Sequence, residues 1–162
     1  MKEIYLAGGC FWGVEKYFSM LKGIIDTSVG YANGNFANPK YEDLKAHIAT
    51  HSETVKLIYD ETEISLVQIL EHFLRFVDPY SINKQGHDEG LQYRSGVYYL
   101  DHNDEAVIKA YFKEHLEANY KIEVLPLQEF YMAEEYHQHY LDKNIHGYCH
   151  IDLTLIKPNE KK

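Results

Sequence analysis

Lys2-Glu3-Ile4-Tyr5-Leu6-Ala7-Gly8-Gly9-Cys10-Phe11-Trp12-Gly13-Val14-Glu15 is the stretch on which the reading of the fold turns, because the hydrophobic period changes inside it. Lys2 to Ala7 reads as a short strand, and the two glycines free the backbone to turn. Phe11, Val14, Phe18 and Leu21 then recur at helical spacing. A cysteine therefore sits where a strand becomes a helix. Free backbone N–H groups and the positive end of the helix dipole favour a thiolate at such a place, and the thiolate is the form that attacks electrophilic sulfur or carbon. Cys10 is the candidate nucleophile. Phe11 and Trp12 beside it are either core residues of an amphipathic helix or the walls of a pocket for a small apolar group. The residues alone favour the core for Phe11 and leave Trp12 open.

Outward from this stretch, strand-like and helical patterns alternate. Strands are expected near 3–8, 25–31, 54–60, 95–100 and 122–127, and helices near 10–21, 39–46, 64–77, 103–119 and 133–142, which makes one layered α and β structure. Ser65 and Gln68 have capping-box spacing, and the apolar stripe Leu66, Ile69, Leu70, Phe73, Leu74 and Val77 stops at Asp78-Pro79. Asn103, followed by Asp104 and Glu105, opens another helix by the same logic. Tyr31 to Tyr41, Pro79 to Arg94 and Lys143 to His150 resist a regular assignment. Long irregular stretches inside a compact domain usually carry function, and the last of them contains Cys149.

The 162 residues and 45% hydrophobic content suffice for one good core and crowd out two, so a single domain over 1–156 is expected, with 157–162 a polar C-terminal tail. A formal net charge of -9 argues against nucleic acid or an anionic membrane as partner. No apolar run approaches the roughly 20 residues that span a bilayer, and Met1 leads directly into the first strand without a signal-peptide pattern. Only two cysteines, far apart, do not make a disulfide-stapled secreted scaffold; a reducing cytoplasm with thiols used for chemistry fits better. Tyrosine is over-represented, 15 copies against 7 Phe, and most copies are expected on sheet faces, as at Tyr98 and Tyr99.

Cysteine chemistry divides by what assists the thiol. A hydrolase needs a neutral histidine as base, an orienting partner and an oxyanion hole. A redox enzyme needs an acid to protonate a departing oxygen and a second thiol to clear the oxidised intermediate, and Cys149 supplies that thiol. The motifs decide between them. Gly9-Cys10-Phe11-Trp12-Gly13 resembles the signature of A-type peptide methionine sulfoxide reductases. Tyr31-Ala32-Asn33-Gly34, Asn38-Pro39-Lys40-Tyr41-Glu42, His51-Ser52-Glu53-Thr54-Val55, Gly86-His87-Asp88-Glu89-Gly90-Leu91-Gln92-Tyr93-Arg94-Ser95 and Asn144-Ile145-His146-Gly147-Tyr148-Cys149 follow in that family's order. The resemblance runs from about Ile4 to about Ile151.

The resemblance implies an α+β fold, a two-layer sandwich with a central mixed sheet and a ferredoxin-like plait, where alternation alone also admits a doubly wound parallel sheet. It implies that Cys10 attacks the sulfur of methionine (S)-sulfoxide, free or in oxidised proteins. Phe11 and Trp12 would then hold the methyl group. Glu53 would protonate the oxygen with the phenols of Tyr41 and Tyr93 as hydrogen-bonding companions, and Asp88, His137 and Tyr148 would hold the polar part of the substrate. A poor leaving oxygen demands an acid kept neutral near pH 7, so a raised pKa is expected at Glu53. The cycle leaves Cys10 as a sulfenic acid that Cys149 resolves to a disulfide, which thioredoxin reduces. No bound cofactor or metal is implied. His150-Ile151-Asp152-Leu153 replaces the glycine-rich tail and third cysteine of many members, and it resembles the junction of fusions to a B-type reductase.

Three other readings compete. His137, His139, His146, Cys149 and His150 are a possible metal cluster, although two histidines two apart on a helix point to different sides and no pair has zinc-finger spacing. A dinucleotide fingerprint lacks its middle glycine and has aromatics where a pyrophosphate would lie. A cysteine hydrolase is the alternative enzyme.

Overall fold

The computed structural model describes all 162 residues, Met1–Lys162. The elements run β1 (Lys2–Ala7), α1 (Phe11–Ser19), β2 (Ile24–Ala32), α2 (Tyr41–Lys45), β3 (Ser52–Tyr59), α3 (Leu66–Phe76), β4 (Lys84–Gln85), β5 (Asp88–Glu89), β6 (Gly96–Tyr99), α4 (His102–His115), β7 (Glu123–Pro126), β8 (Phe130–Met132) and α5 (Tyr140–Lys143), with 3-10 turns before β6, before α5 and after α5. Six strands form one sheet in the order β7-β6-β1-β3-β2-β8, and β4 pairs with β5 as a separate hairpin. Every pair in the sheet is antiparallel except β6 with β7. The chain is a mixed α+β protein built on a mixed sheet, and the doubly wound parallel alternative is gone.

Period-2 alternation along the strands explains how the sheet is covered. Ile4 and Leu6 of β1, Val29 of β2, Val55 and Leu57 of β3 and Val97 of β6 join one buried cluster with Phe11, Val14 and Phe18 of α1, Ile69, Leu70 and Phe73 of α3 and Ile108 and Phe112 of α4. The intervening residues Tyr5, Ala7, Ala32 and Tyr98 point the other way and make a small second cluster under Leu127 and Phe130. The three long helices therefore share one face of the sheet. The capping box at α3 is present in full: Ser65 Oγ accepts from the Gln68 amide at 3.1 Å, and the Ser65 amide donates to Gln68 Oε1 at 2.9 Å. No helix is long and apolar enough to cross a membrane.

Two sequence expectations change. Helix α4 is capped by Asp101, whose carboxylate accepts from the Asn103 amide, so it opens two residues before the expected cap at Asn103. In place of the helix expected over 133–142, the chain leaving β8 makes a 3-10 turn at Glu135–His137 and then the short α5. Its polar side chains are spent on tertiary partners. Gln138 accepts from the Val29 amide and donates to the carbonyls of Val29 and Ala133, standing in for a strand neighbour of β2, and His139 adopts a left-handed φ of 51° that breaks the helix. The residues 157–162, polar in composition, lie against the body of the protein. Leu21 bridges to Lys161, and Glu160 takes two hydrogen bonds from the Arg75 guanidinium, which hold its carboxyl down to about 2.

Candidate active site

Strand register builds the site. Leu6 of β1 faces Val55 of β3 and Ala7 faces Gly96 of β6, while Tyr31 of β2 faces Glu53. The chain leaving β1 therefore runs beside the beginnings of β3 and β6, and all three meet where α1 starts. Cys10 is the residue that caps α1, and it is buried, as is Glu53. The turn to reach that position needs Gly9, whose φ is +91° and where a Cβ would lie 2.8 Å from Gln85 Cβ.

Glu53 is 1% exposed. Its Oε1 accepts from the Phe11 amide at the start of α1 at 3.2 Å, and its Oε2 accepts from Gln92 Nε2 at 2.8 Å. Burial pushes its carboxyl up to about 8, against the pull of these two donors and with help from the negative charge of Asp88. The acid is thus neutral near pH 7, as expected. Its hydrogen-bonding companions are not those expected: Gln92 and the Phe11 amide hold the carboxyl, and the phenols of Tyr41 and Tyr93 make no hydrogen bond to it. Both phenols still feel Glu53 and Cys10, whose charges add to burial in raising them, Tyr41 to about 12. The 3-10 turn Leu91–Tyr93 that carries Gln92 is pinned by Arg94, which donates to the carbonyls of Leu91, Thr50 and Asn33 and pairs with Glu123. Gln92 and Arg94 lie inside a motif stretch, yet nothing in their own spacing singles them out.

The helix start favours a thiolate at Cys10, and the sequence leaves open whether the sulfur is ionised before substrate binds. The amide of Trp12 favours the thiolate, but burial and the neighbouring Glu53 outweigh it and push the thiol well above the ordinary cysteine range. The helix start supplies less than a buried sulfur beside a carboxyl loses.

A ring of side chains surrounds the next turn. Phe11 is 1% exposed and belongs to the core, within 5.2 Å of the His137 ring. Trp12 is half-buried and stacks on Tyr140 at 3.8 Å between ring centres. Its indole N–H donates to His137 Nδ1 at 3.0 Å, so the proton of the neutral imidazole sits on Nε2, which has no partner. His137 is held in this place by segment 133–139: Glu134 accepts from Tyr31 and from the Tyr41 amide, and Glu15 accepts from the His139 amide. Tyr148 donates to Asp88 Oδ2 at 2.9 Å, joining the loop of Cys149 to β5.

Cys149 is a free thiol like Cys10, and its S–H donates to the Ile151 carbonyl at 3.3 Å. It borders an open cleft of about 210 Å³ lined by Lys16, Leu141, Ile145, Gly147 and Leu153. His137 and His150 face different surroundings, and no three His, Cys, Asp or Glu side chains are placed to share a metal ion. Glu53, Asp88 and Cys149 all act against a thiolate at Cys10.

A thiol served by a neutral carboxyl, with a second free thiol in reserve, is the equipment of a cysteine-dependent oxidoreductase; a hydrolase would have to bring an imidazole to the sulfur. Comparison with known proteins narrows that class. The family described as peptide methionine sulfoxide reductase matches residues 2–162. A protein named peptide methionine sulfoxide reductase MsrA from Ureaplasma parvum serovar 3 is 51% identical over 160 residues, covering 97% of each chain. The crystal structure of Mxr1 from Saccharomyces cerevisiae in reduced form superposes with a TM-score of 0.83 at 37% identity, covering 91% of this chain and 88% of that one. Mxr1 in complex with Trx2 matches with a TM-score of 0.57 at 28% identity, covering 86% and 84%. The chain belongs to the peptide methionine sulfoxide reductase family.

Proposed function

We propose that the protein reduces methionine (S)-sulfoxide, free or within oxidised proteins, to methionine, with thioredoxin as the external reductant and no bound cofactor. The observation that carries the mechanism is Glu53, a carboxyl buried and neutral beside the Cys10 thiol. Each of its oxygens accepts one N–H, so the donors fix the carboxyl without occupying the position of its own proton, which is given to the sulfoxide oxygen. Proton transfer makes the sulfur electrophilic, and Cys10 attacks it as its own proton passes to the carboxylate left on Glu53. The hydroxyl then passes to the Cys10 sulfur as the S–S and S–O bonds to the methionine sulfur break, so methionine leaves, Cys10 is a sulfenic acid and Glu53 is protonated again. Cys149 attacks that sulfur, water leaves, and the resulting disulfide is reduced by dithiol exchange with thioredoxin.

In this reading Trp12, backed by Phe11, walls the methyl group of the sulfoxide. Tyr41 and Tyr93 line the oxygen side near Glu53, and Asp88, Tyr148 and the unpartnered Nε2 of His137 receive the polar part of the substrate. The cytoplasm is the assigned location, consistent with two free thiols. The run β1-α1-β2-β3-α3-β6, with sheet order β6-β1-β3-β2, supports reading the core as a ferredoxin-like plait in a two-layer sandwich, forming one domain over 1–156 followed by the segment 157–162.

The test is turnover of the two methionine sulfoxide diastereomers with a thioredoxin system: the S form is expected to be consumed and the R form left. Turnover of neither form, or of an activated ester instead, overturns the reading. The role of Cys149 separates from that of Cys10. Cys149→Ser is expected to make about one methionine per chain and then stall as sulfenic acid, because no second thiol clears it. Wild type with excess sulfoxide and no reductant is expected to lose both thiols and gain one Cys10–Cys149 disulfide. Mass spectrometry with a thiol count reads both, and undiminished thioredoxin-dependent turnover in the serine variant would refute the resolving role.

A further inference from the structure

The residue after Cys149 does not look outward. The Nε2 of His150 lies 2.9 Å from the carbonyl oxygen of Gly8, two residues before Cys10. A carbonyl only accepts, so Nε2 carries the proton and Nδ1 is a bare lone pair. That Nδ1 is buried and has no partner. A buried acceptor without a protein partner is costly, so a donor able to reach it is favoured there.

The thiol of Cys149 is a donor that shares its surroundings. A Cβ built on Gly13 would lie 3.1 Å from Cys149 Sγ and 3.3 Å from His150 Nδ1, so the two atoms border the same small space over the first turn of α1, a space that exists because position 13 has no side chain. In the resting protein the thiol is turned to the Ile151 carbonyl, which can hold its proton but cannot take it. Burial raises the Cys149 thiol and keeps His150 neutral, with Asp88 the acidic side chain facing the imidazole. A raised thiol is a weak nucleophile without a base.

We propose that His150 is the general base of the resolving step: its Nδ1 takes the proton of the Cys149 thiol as that sulfur attacks the sulfenic acid on Cys10. The S–S bond forms as the S–O bond of the sulfenic acid breaks. Cys149 sulfur is oxidised, Cys10 sulfur is reduced, and the proton held on Nδ1 passes to the departing hydroxyl, which leaves as water. The Gly8 carbonyl is the orienting group, holding the ring so that its basic nitrogen faces the thiol, in the arrangement of nucleophile, base and orienter common to activated cysteines.

This inference rests on the reading that Cys10 forms a sulfenic acid resolved by Cys149, and one rapid-mixing experiment keeps the two apart. Methionine release and Cys10–Cys149 disulfide formation are followed together, after mixing with sulfoxide and no reductant, in wild type, His150→Gln and His150→Ala across pH. Glutamine keeps a donor for the Gly8 carbonyl and supplies no base. At neutral pH both variants are expected to form the disulfide roughly 10²-fold more slowly than wild type. Toward high pH, where Cys149 ionises unaided, the gap is expected to close. Disulfide formation at the wild-type rate in the glutamine variant would overturn the assignment, and so would a gap of constant size across pH, which is the mark of an anchor alone. If wild type itself releases no methionine, the functional reading fails instead.

Discussion

Cys10→Ser is expected to lower reduction of methionine (S)-sulfoxide below roughly 10⁻⁴ of the wild-type rate, the scale on which loss of a catalytic nucleophile is felt. A hydroxyl neither ionises near neutral pH nor attacks sulfoxide sulfur to any useful extent. The fold is expected to survive, because Cys10 caps α1 without a side-chain hydrogen bond and the neighbouring Phe11 and Val14 carry the helix into the core. Methionine release in a single turnover, with circular dichroism to confirm folding, is the measurement. Substantial release by the serine variant would remove the mechanism altogether.

Glu53→Gln is expected to slow the methionine-forming step by roughly 10²- to 10⁴-fold, since the amide matches the shape of the acid and has no proton to give. The pH dependence carries a sign that follows from the carboxyl lying at about 8 in the fold against 4.5 for an ordinary glutamate. Below about 8 the acid is protonated and competent. Wild-type methionine formation therefore falls as pH rises through that value, and the glutamine variant is expected to lack this falling limb. Stability moves in the same sense. The native state holds the proton more tightly than the unfolded chain, so the protonated acid contributes stability at low pH that is lost as pH rises from 4.5 to about 8. The glutamine variant is expected to gain on wild type across that window and to stop gaining above it. Urea denaturation at several pH values reads this, and parallel curves would mean that Glu53 titrates normally.

What the residues disclosed in advance is what depends on neighbours in the chain. The change of hydrophobic period around Cys10 marks β1 and α1, and Ser65 with Gln68 marks α3, because the groups concerned are at most a few positions apart. The segment 133–142 reads as helix for the same reason and is not one, since Gln138 satisfies Val29 across 109 positions and Glu134 reaches Tyr31 and Tyr41. In the site, the motif order points to Cys10, Glu53 and Cys149, yet it does not disclose the groups that hold Glu53. Gln92 reaches it across 39 positions and the Phe11 amide across 42, and a backbone amide leaves no trace in a sequence at all. The state of the Cys10 thiol is not legible in the sequence for a similar reason. The helix start is visible in the pattern, whereas the burial that overrides it is a property of the whole fold.

The raised Cys10 thiol also governs what the protein ignores. A sulfur that rests with its proton on, walled from water and beside an acid that is itself neutral, offers little to alkylating agents or dilute peroxide, which react with thiolates. In the proposed mechanism a sulfoxide is different, because it presents a basic oxygen to the proton of Glu53, and the Cys10 sulfur becomes reactive as that exchange occurs. Chemical selectivity is in this way built into dormancy: the reagent that wakes the nucleophile is its own substrate, and bystander oxidants meet a thiol that is asleep.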